Sequence, residues 1–206
     1  IDNKTNKEFL NDIGHTDIEN VDNMQKYFQN IKASSSIPRI PAGTPLKNAY
    51  PHKSPLEKIF QNEVVAGAIN SLVGSEAVVD HQFLHLTFPT KYFKKTNQRQ
   101  MSQVNHQDST IDPRITFDIQ LFYFPTDVTK EMGGTRYHPG THLRIVNEMG
   151  IAKYQNIKGQ KNIVCKAGTI GIFHNGLWHG AVVNFSDEIR SVSYTHLTLP
   201  TKEVVG

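Results

Sequence analysis

The sequence predicts a mainly β fold: a two-sheet antiparallel jelly roll whose N-terminal part is helical and packs on one sheet. Two observations carry this. Up to Gly74 the apolar residues recur at helical spacing, and beyond it the period falls to about 2 in short segments parted by Gly, Pro, Asn and Asp. The length of 206 residues, 37% hydrophobic and 20% charged, suits one domain with a sizeable core.

Residues 1–32 are polar and Asn-rich, and Val21, Met24, Phe28 and Ile31 form a short amphipathic helix pattern. Thr16 and Glu19 precede it at capping-box spacing. Five prolines between Ala33 and Pro55 mark an extended connection, so residues 1–54 read as an extension to a domain over 55–190. Ser54-Pro55-Leu56-Glu57 opens the strongest helix, with Ser as N-cap, Pro at the first position and Glu at the third. Leu56, Ile59, Phe60, Val64, Ala68, Ile69, Leu72 and Val73 continue it as one helix to Gly74.

Strands are expected over residues 77–88, 114–124, 141–146, 162–166, 168–174 and 179–185. In the second, Ile115, Phe117, Ile119, Leu121 and Tyr123 share one face, while Thr116, Asp118, Gln120, Phe122 and Phe124 share the other. That other face is half polar, as the wall of a wet cavity would be.

Several function classes drop out on composition. No run of 18 apolar residues exists, which excludes a transmembrane helix. Net charge is only +3, and the basic stretch Lys91–Arg99, though it contains Tyr92 and Phe93, reads as a solvated loop, so no nucleic acid is expected. Cys165 is the single cysteine and reads as a small buried hydrophobe rather than a nucleophile. Nothing demands an oxidising compartment, and a cytoplasmic location is expected; oligomeric state is left open.

Two His-x-Asp triplets occur. In His15-Thr16-Asp17 the aspartate sits by the capping pair and favours a helix N-terminus. His106-Gln107-Asp108 instead lies just before a strand, and His179 follows the strand 168–174 after a short link. A jelly roll can bring two such strand ends to one mouth. Two imidazoles and one carboxylate then occupy one face of an octahedron, an arrangement that suits non-haem Fe(II) and leaves room for a bidentate co-substrate and dioxygen. Arg190 falls eleven residues after His179, where a guanidinium could clamp a carboxylate through two parallel hydrogen bonds. His174, on the face of Ile170 and Ile172, is a rival to His179. His138 and His142 sit in a Pro-Gly turn and read as structural; Trp178 reads as core or cavity wall.

His106-Gln107-Asp108, the run Gly133–His142, the run Gly168–Asn184 and Arg190, in that order, resemble the phytanoyl-CoA dioxygenase family of Fe(II)- and 2-oxoglutarate-dependent oxygenases, over residues 55–190. The resemblance implies a cupin-like double-stranded β-helix, His106, Asp108 and His179 as iron ligands, and Arg190 as partner of the distal carboxylate of 2-oxoglutarate. It also implies hydroxylation of a small organic substrate with O2, release of succinate and CO2, and ascorbate as a reductant. Asp108 argues against halogenation, because halogenating relatives carry a small apolar residue there. Ala181 stands where members often have a Ser that helps hold the co-substrate, and Tyr123 is the expected substitute. Selectivity is expected to lie in loops near 91–105 and 147–161. A jelly-roll binding or scaffold protein with a vestigial metal site, and a cupin-like metal hydrolase or isomerase, would share the architecture; the hydrolase or isomerase would not need Arg190.

Ser191 to Thr201 is similar to a translated reading frame of a transposase-type sequencing adapter. Residues 191–206 are therefore expected to be a non-native tail kept out of the fold, which cuts short the strand of Arg190 and sets His196 aside; the alternative reading is a genuine β-prone tail.

Overall fold

A computed structural model of the chain describes residues 1–15, 38–90, 103–109, 118–144, 150–151 and 157–200. Helix α1 (Asn3–Asp12) is capped by Asp2, whose carboxylate accepts from the Thr5 amide and hydroxyl, each at 2.9 Å. Phe9 and Ile13 are its fully buried apolar residues, with Ile1 and Leu10 packed beside them, too few and too scattered for hydrophobic periodicity to reveal the helix. The expected helix around Val21–Ile31, the capping pair, the His15-Thr16-Asp17 triplet as a whole and the basic stretch Lys91–Arg99 fall outside the described residues.

The helix expected from Pro55 to Gly74 is two helices, α2 (Pro55–Gln61) and α3 (Glu63–Leu72). Ser54 caps the first as expected, accepting from the Glu57 amide at 3.2 Å. Asn62 makes the break. Its backbone is extended (φ −57°, ψ 128°), and its side-chain oxygen accepts from the Val64 and Val65 amides at 3.2 and 3.4 Å. An Asn side chain that captures the following amides competes with helical continuation, so one residue ends α2 and starts α3.

The strands are β1 (Thr44–Pro45), β2 (Val78–Thr87), β3 (Ile119–Phe124), β4 (Thr135–Tyr137), β5 (Lys161–Asn162), β6 (Thr169–His174), β7 (His179–Ala181) and β8 (Arg190–Thr198). They pair antiparallel in a five-stranded sheet of order β1-β2-β8-β3-β6 and a three-stranded sheet of order β5-β4-β7. Helices cover one face of the larger sheet: Phe9, Leu56, Ile59 and Ile69 share a core with Val79, Ile119, Leu121 and Leu197. Its other face meets the smaller sheet, with the Phe173 ring 5.5 Å from Tyr137 and the Thr135 hydroxyl 3.4 Å from that of Tyr194.

Three expectations need correction. Residues 141–146 do not begin a strand: Thr141–Leu143 is a 3-10 turn entered through Gly140 at φ +81°. The Thr141 hydroxyl organises it, donating to the His138 carbonyl at 2.7 Å and accepting from the Trp178 amide at 2.9 Å. Residues 191–198, expected outside the fold, form most of β8, a buried strand between β2 and β3. Its β-branched and aromatic residues suit a central position.

Tyr123 is the third. It belongs to the helix-side core, where its ring meets Phe9 edge-on at 5.0 Å and its hydroxyl donates to the Asn6 side-chain carbonyl. The reason is strand parity: side chains alternate, and Tyr123 shares a face with Ile119 and Leu121, opposite the face that meets the second sheet. Burial pushes its phenol up. Tyr123→Phe should lower unfolding stability by about 1–2 kcal/mol, the cost of stranding a buried partner, with co-substrate affinity unchanged; urea unfolding and co-substrate titration check both halves.

Candidate metal centre

The short strand β7 carries His179, and the segment 103–106 runs antiparallel along its free edge. His106 and His179 exchange both backbone bonds, N–H to O, at 2.9 Å each way. Their rings therefore stand side by side, centroids 4.3 Å apart. Two residues on, the Asp108 amide donates to the Asn175 carbonyl at 2.9 Å, which turns its carboxylate back towards the pair.

Each imidazole is oriented the same way. Nδ1 of His106 lies 3.0 Å from the Val104 carbonyl, and Nδ1 of His179 lies 2.9 Å from that of Leu177. A carbonyl only accepts, so both rings carry their proton on Nδ1 and present a bare Nε2. Those Nε2 atoms converge on the carboxylate, His106 at 3.6 Å from Asp108 Oδ1 and His179 at 3.4 Å from Oδ2. One potential ligand atom from each of the three lies within 4.8 Å of the others. Asp108 is open to solvent through its backbone, but its side chain is only 19% exposed. Burial pushes the His179 imidazole down, with Asp108 pulling the other way. Two neutral nitrogens and one carboxylate oxygen around one point are a donor set that suits a divalent first-row metal.

The rivals go elsewhere. His174 accepts from the Gly176 amide through Nδ1 at 2.9 Å and faces His142 at 5.4 Å. With Tyr137, Pro139, Phe173 and Leu177, those two rings line a cleft of about 360 Å³. His138 is buried at the start of the turn to Thr141, and its amide donates to the Trp178 carbonyl at 3.0 Å. His196 stacks on His81 at 3.8 Å and bonds Gln120, outside the trio. Burial raises the half-buried Cys165 thiol, which packs beside Phe122 and Val128 as a small apolar group.

Arg190, at the start of β8, is fully buried. Its register partner is Thr87 on β2, and Nη2 donates to the Thr87 hydroxyl at 2.6 Å. Nε and Nη1 have no hydrogen-bond acceptor among the described residues. A guanidinium with two idle nitrogens at zero exposure is costly, so the geometry fits an anion that the described residues do not provide. Tyr194, four residues along β8, meets Phe122 edge-on at 4.5 Å, and the Phe122 ring lies 6.0 Å from that of His179. Sequence reasoning missed Thr87, Tyr194 and Thr135. Each is placed by strand register, which nothing in a single sequence prints.

The family profile described as phytanoyl-CoA dioxygenase matches residues 15–192. No curated protein matches by sequence. Among solved structures, the non-haem monooxygenase ThoJ in complex with nickel is 20% identical, with a TM-score of 0.56, over 72% of this chain and 55% of that one. AviO1 from Streptomyces viridochromogenes is 14% identical, with a TM-score of 0.61, over 98% of this chain and 87% of its own. The epimerase SnoN, in complex with Fe3+, alpha ketoglutarate and nogalamycin RO, is 17% identical, with a TM-score of 0.54, over 70% and 59%. The chain thus spans little more than half the length of some of these structures.

His179→Ala should abolish tight Co(II) binding, read from the visible bands of the metal, while His174→Ala retains it. The reverse pattern would move the centre to the rival histidine.

Proposed function

The chain belongs to the phytanoyl-CoA dioxygenase family, and we propose that it is an Fe(II)- and 2-oxoglutarate-dependent dioxygenase, built as a double-stranded β-helix, that hydroxylates a small organic substrate with release of succinate and CO2. The observation that carries this reading is Arg190: a buried guanidinium with two nitrogens idle among the described residues, on the parity of Val192 and Tyr194, the face of the larger sheet that meets the smaller sheet bearing His179. A metal hydrolase or isomerase has no use for such a group, and a vestigial site gives no reason to keep it buried.

In this reading His106 and His179 hold the metal through Nε2 and Asp108 through one carboxylate oxygen, which offsets part of the ionic charge. Bound there, Fe(II) supplies the redox chemistry that couples dioxygen reduction to loss of CO2 from 2-oxoglutarate. The protein supplies position and exclusion of water. Arg190 takes the distal carboxylate of the co-substrate by charge-assisted hydrogen bonds, with Thr87 fixing one edge of the guanidinium. His85, on the same strand as Thr87, is pushed down to about 4 by burial and by Arg190. It therefore stays neutral and adds no repulsion beside the clamp.

The missing serine at Ala181 has a replacement. Thr135 on β4 is the register partner of Ala181, is 1% exposed, and shows its hydroxyl to the same face. Phe122, Phe124 and Val192 make the rest of the wall apolar and dry. The substrate enters through the cleft of Tyr137, Phe173 and Leu177, because Tyr137 is the register partner of His179 and Leu177 orients its ring. Its size of about 360 Å³ matches a small organic molecule. The selectivity loops expected near 91–105 and 147–161 lie largely outside the described residues.

Adding Fe(II) and 2-oxoglutarate without oxygen should give a weak visible charge-transfer band; its absence from protein with the trio intact would end this reading. Arg190→Lys should weaken 2-oxoglutarate more than iron, because an ammonium cannot reproduce the fork, and equal losses would count against the clamp. Arg190→Met should leave the ligand-free protein at least as heat-stable as the parent, since it removes an uncompensated buried cation. It should also erase the rise in melting temperature that saturating 2-oxoglutarate gives the parent.

A further inference from the structure

A second guanidinium is as deeply buried as Arg190 and has no part in the site so far. Arg136 on β4 is 0% exposed, and no acidic side chain pairs with it among the described residues. Its neighbours Thr135 and Tyr137 face the site, so Arg136 and its register partner Gly180 point to the opposite side of the small sheet. There the segment Gln103–Asn105 crosses on its way to His106. Nε of Arg136 donates to the Asn105 side-chain carbonyl at 2.7 Å, and Nη2 donates to the Gln103 backbone carbonyl. Gly180 makes the crossing possible: a Cβ there would stand 2.7 Å from the Gln103 oxygen and 2.8 Å from the Val104 oxygen.

Between the two gripped residues lies Val104, whose carbonyl accepts from His106 Nδ1 at 3.0 Å. We propose that Arg136 is a positioning residue for the metal centre: by holding Gln103 and Asn105 against β7 it aims the Val104 carbonyl, and that carbonyl sets the tautomer and ring direction of His106. The inference rests on reading the trio as a metal site. Two features set Arg136 apart from an ordinary buried cation. It bridges two groups on one strand at a fixed separation, which the planar fork does and a single ammonium does not. It acts on only one ligand, because His179 is oriented by Leu177 within its own turn. Tying a cation to neutral acceptors, with Nη1 unpartnered among the described residues, makes sense where the precision of the held segment matters more than the cost of burial.

The test uses the whole chain, with Arg136→Lys and Asn105→Ala, and two readouts. Long-range nitrogen–proton NMR of the metal-free protein reports the tautomer of each histidine, and Co(II) titration reports affinity. Both variants should let His106 sample both tautomers while His179 keeps its proton on Nδ1, and should weaken Co(II) by about 10- to 100-fold, as loss of a ligand's supporting contact does. An unchanged His106 tautomer with unchanged affinity overturns the proposal, and so does equal disturbance of both histidines, which marks a general loss of structure. Should Arg136→Lys not fold, Asn105→Ala decides alone, since it keeps the cation and removes one prong. Should the parent chain bind no Co(II), the metal reading fails, while the tautomer of His106 still tests the clamp.

Discussion

The site depends on one pair of backbone hydrogen bonds. His106 and His179 are far apart in the chain, yet they trade N–H and C=O at 2.9 Å in both directions. In an antiparallel pair this sets the two Cα atoms about 5.5 Å apart with side chains on the same face. Everything local follows from that spacing. Each ring finds a carbonyl two residues upstream for its Nδ1, each Nε2 is left bare, and the Asp108 carboxylate is brought round to meet both. No helix is needed at the centre, and the helices serve the larger sheet from its far side.

Charge is handled differently at three places on this frame. Asp108 is the one acid of the trio and stands where a cation would offset it. Arg136 and Arg190 are both buried with no carboxylate partner among the described residues, but Arg136 puts Nε and Nη2 on one segment of its own chain and leaves only Nη1 idle, while Arg190 leaves both Nε and Nη1 idle. A buried guanidinium held on two nitrogens by its own chain fixes that segment, whereas one held at a single nitrogen fits a ligand. Hydrogen-bond satisfaction, more than position, thus separates a structural arginine from a binding one.

Where the chemistry needed particular residues at particular offsets, the chain could be read directly. The convergence of His106, Asp108 and His179 was legible because their residue types and spacing fit few other arrangements. The strands at 78–87 and 169–174, and the start of α2 at Ser54, were legible from alternation and from capping residues. The break at Asn62 was not, since an apolar stripe continues through it and only the side chain's competition for amides ends the helix. Tyr123 is different: alternation puts it on the apolar face, and it stands there in the helix-side core. Thr135 has its place beside Ala181 through a strand pairing that the sequence does not reveal. Thr87 and Arg136 escaped for the same reason, because register is a property of two strands at once.

The most direct test of the account is a crystal structure grown without oxygen in the presence of Mn(II) and 2-oxoglutarate. The account predicts one metal ion bonded by Nε2 of His106, Nε2 of His179 and a carboxylate oxygen of Asp108, with the far carboxylate of the co-substrate on Arg190. Metal bound through Nδ1 or through His174, or a co-substrate whose carboxylate leaves Arg190 without a partner, would contradict it.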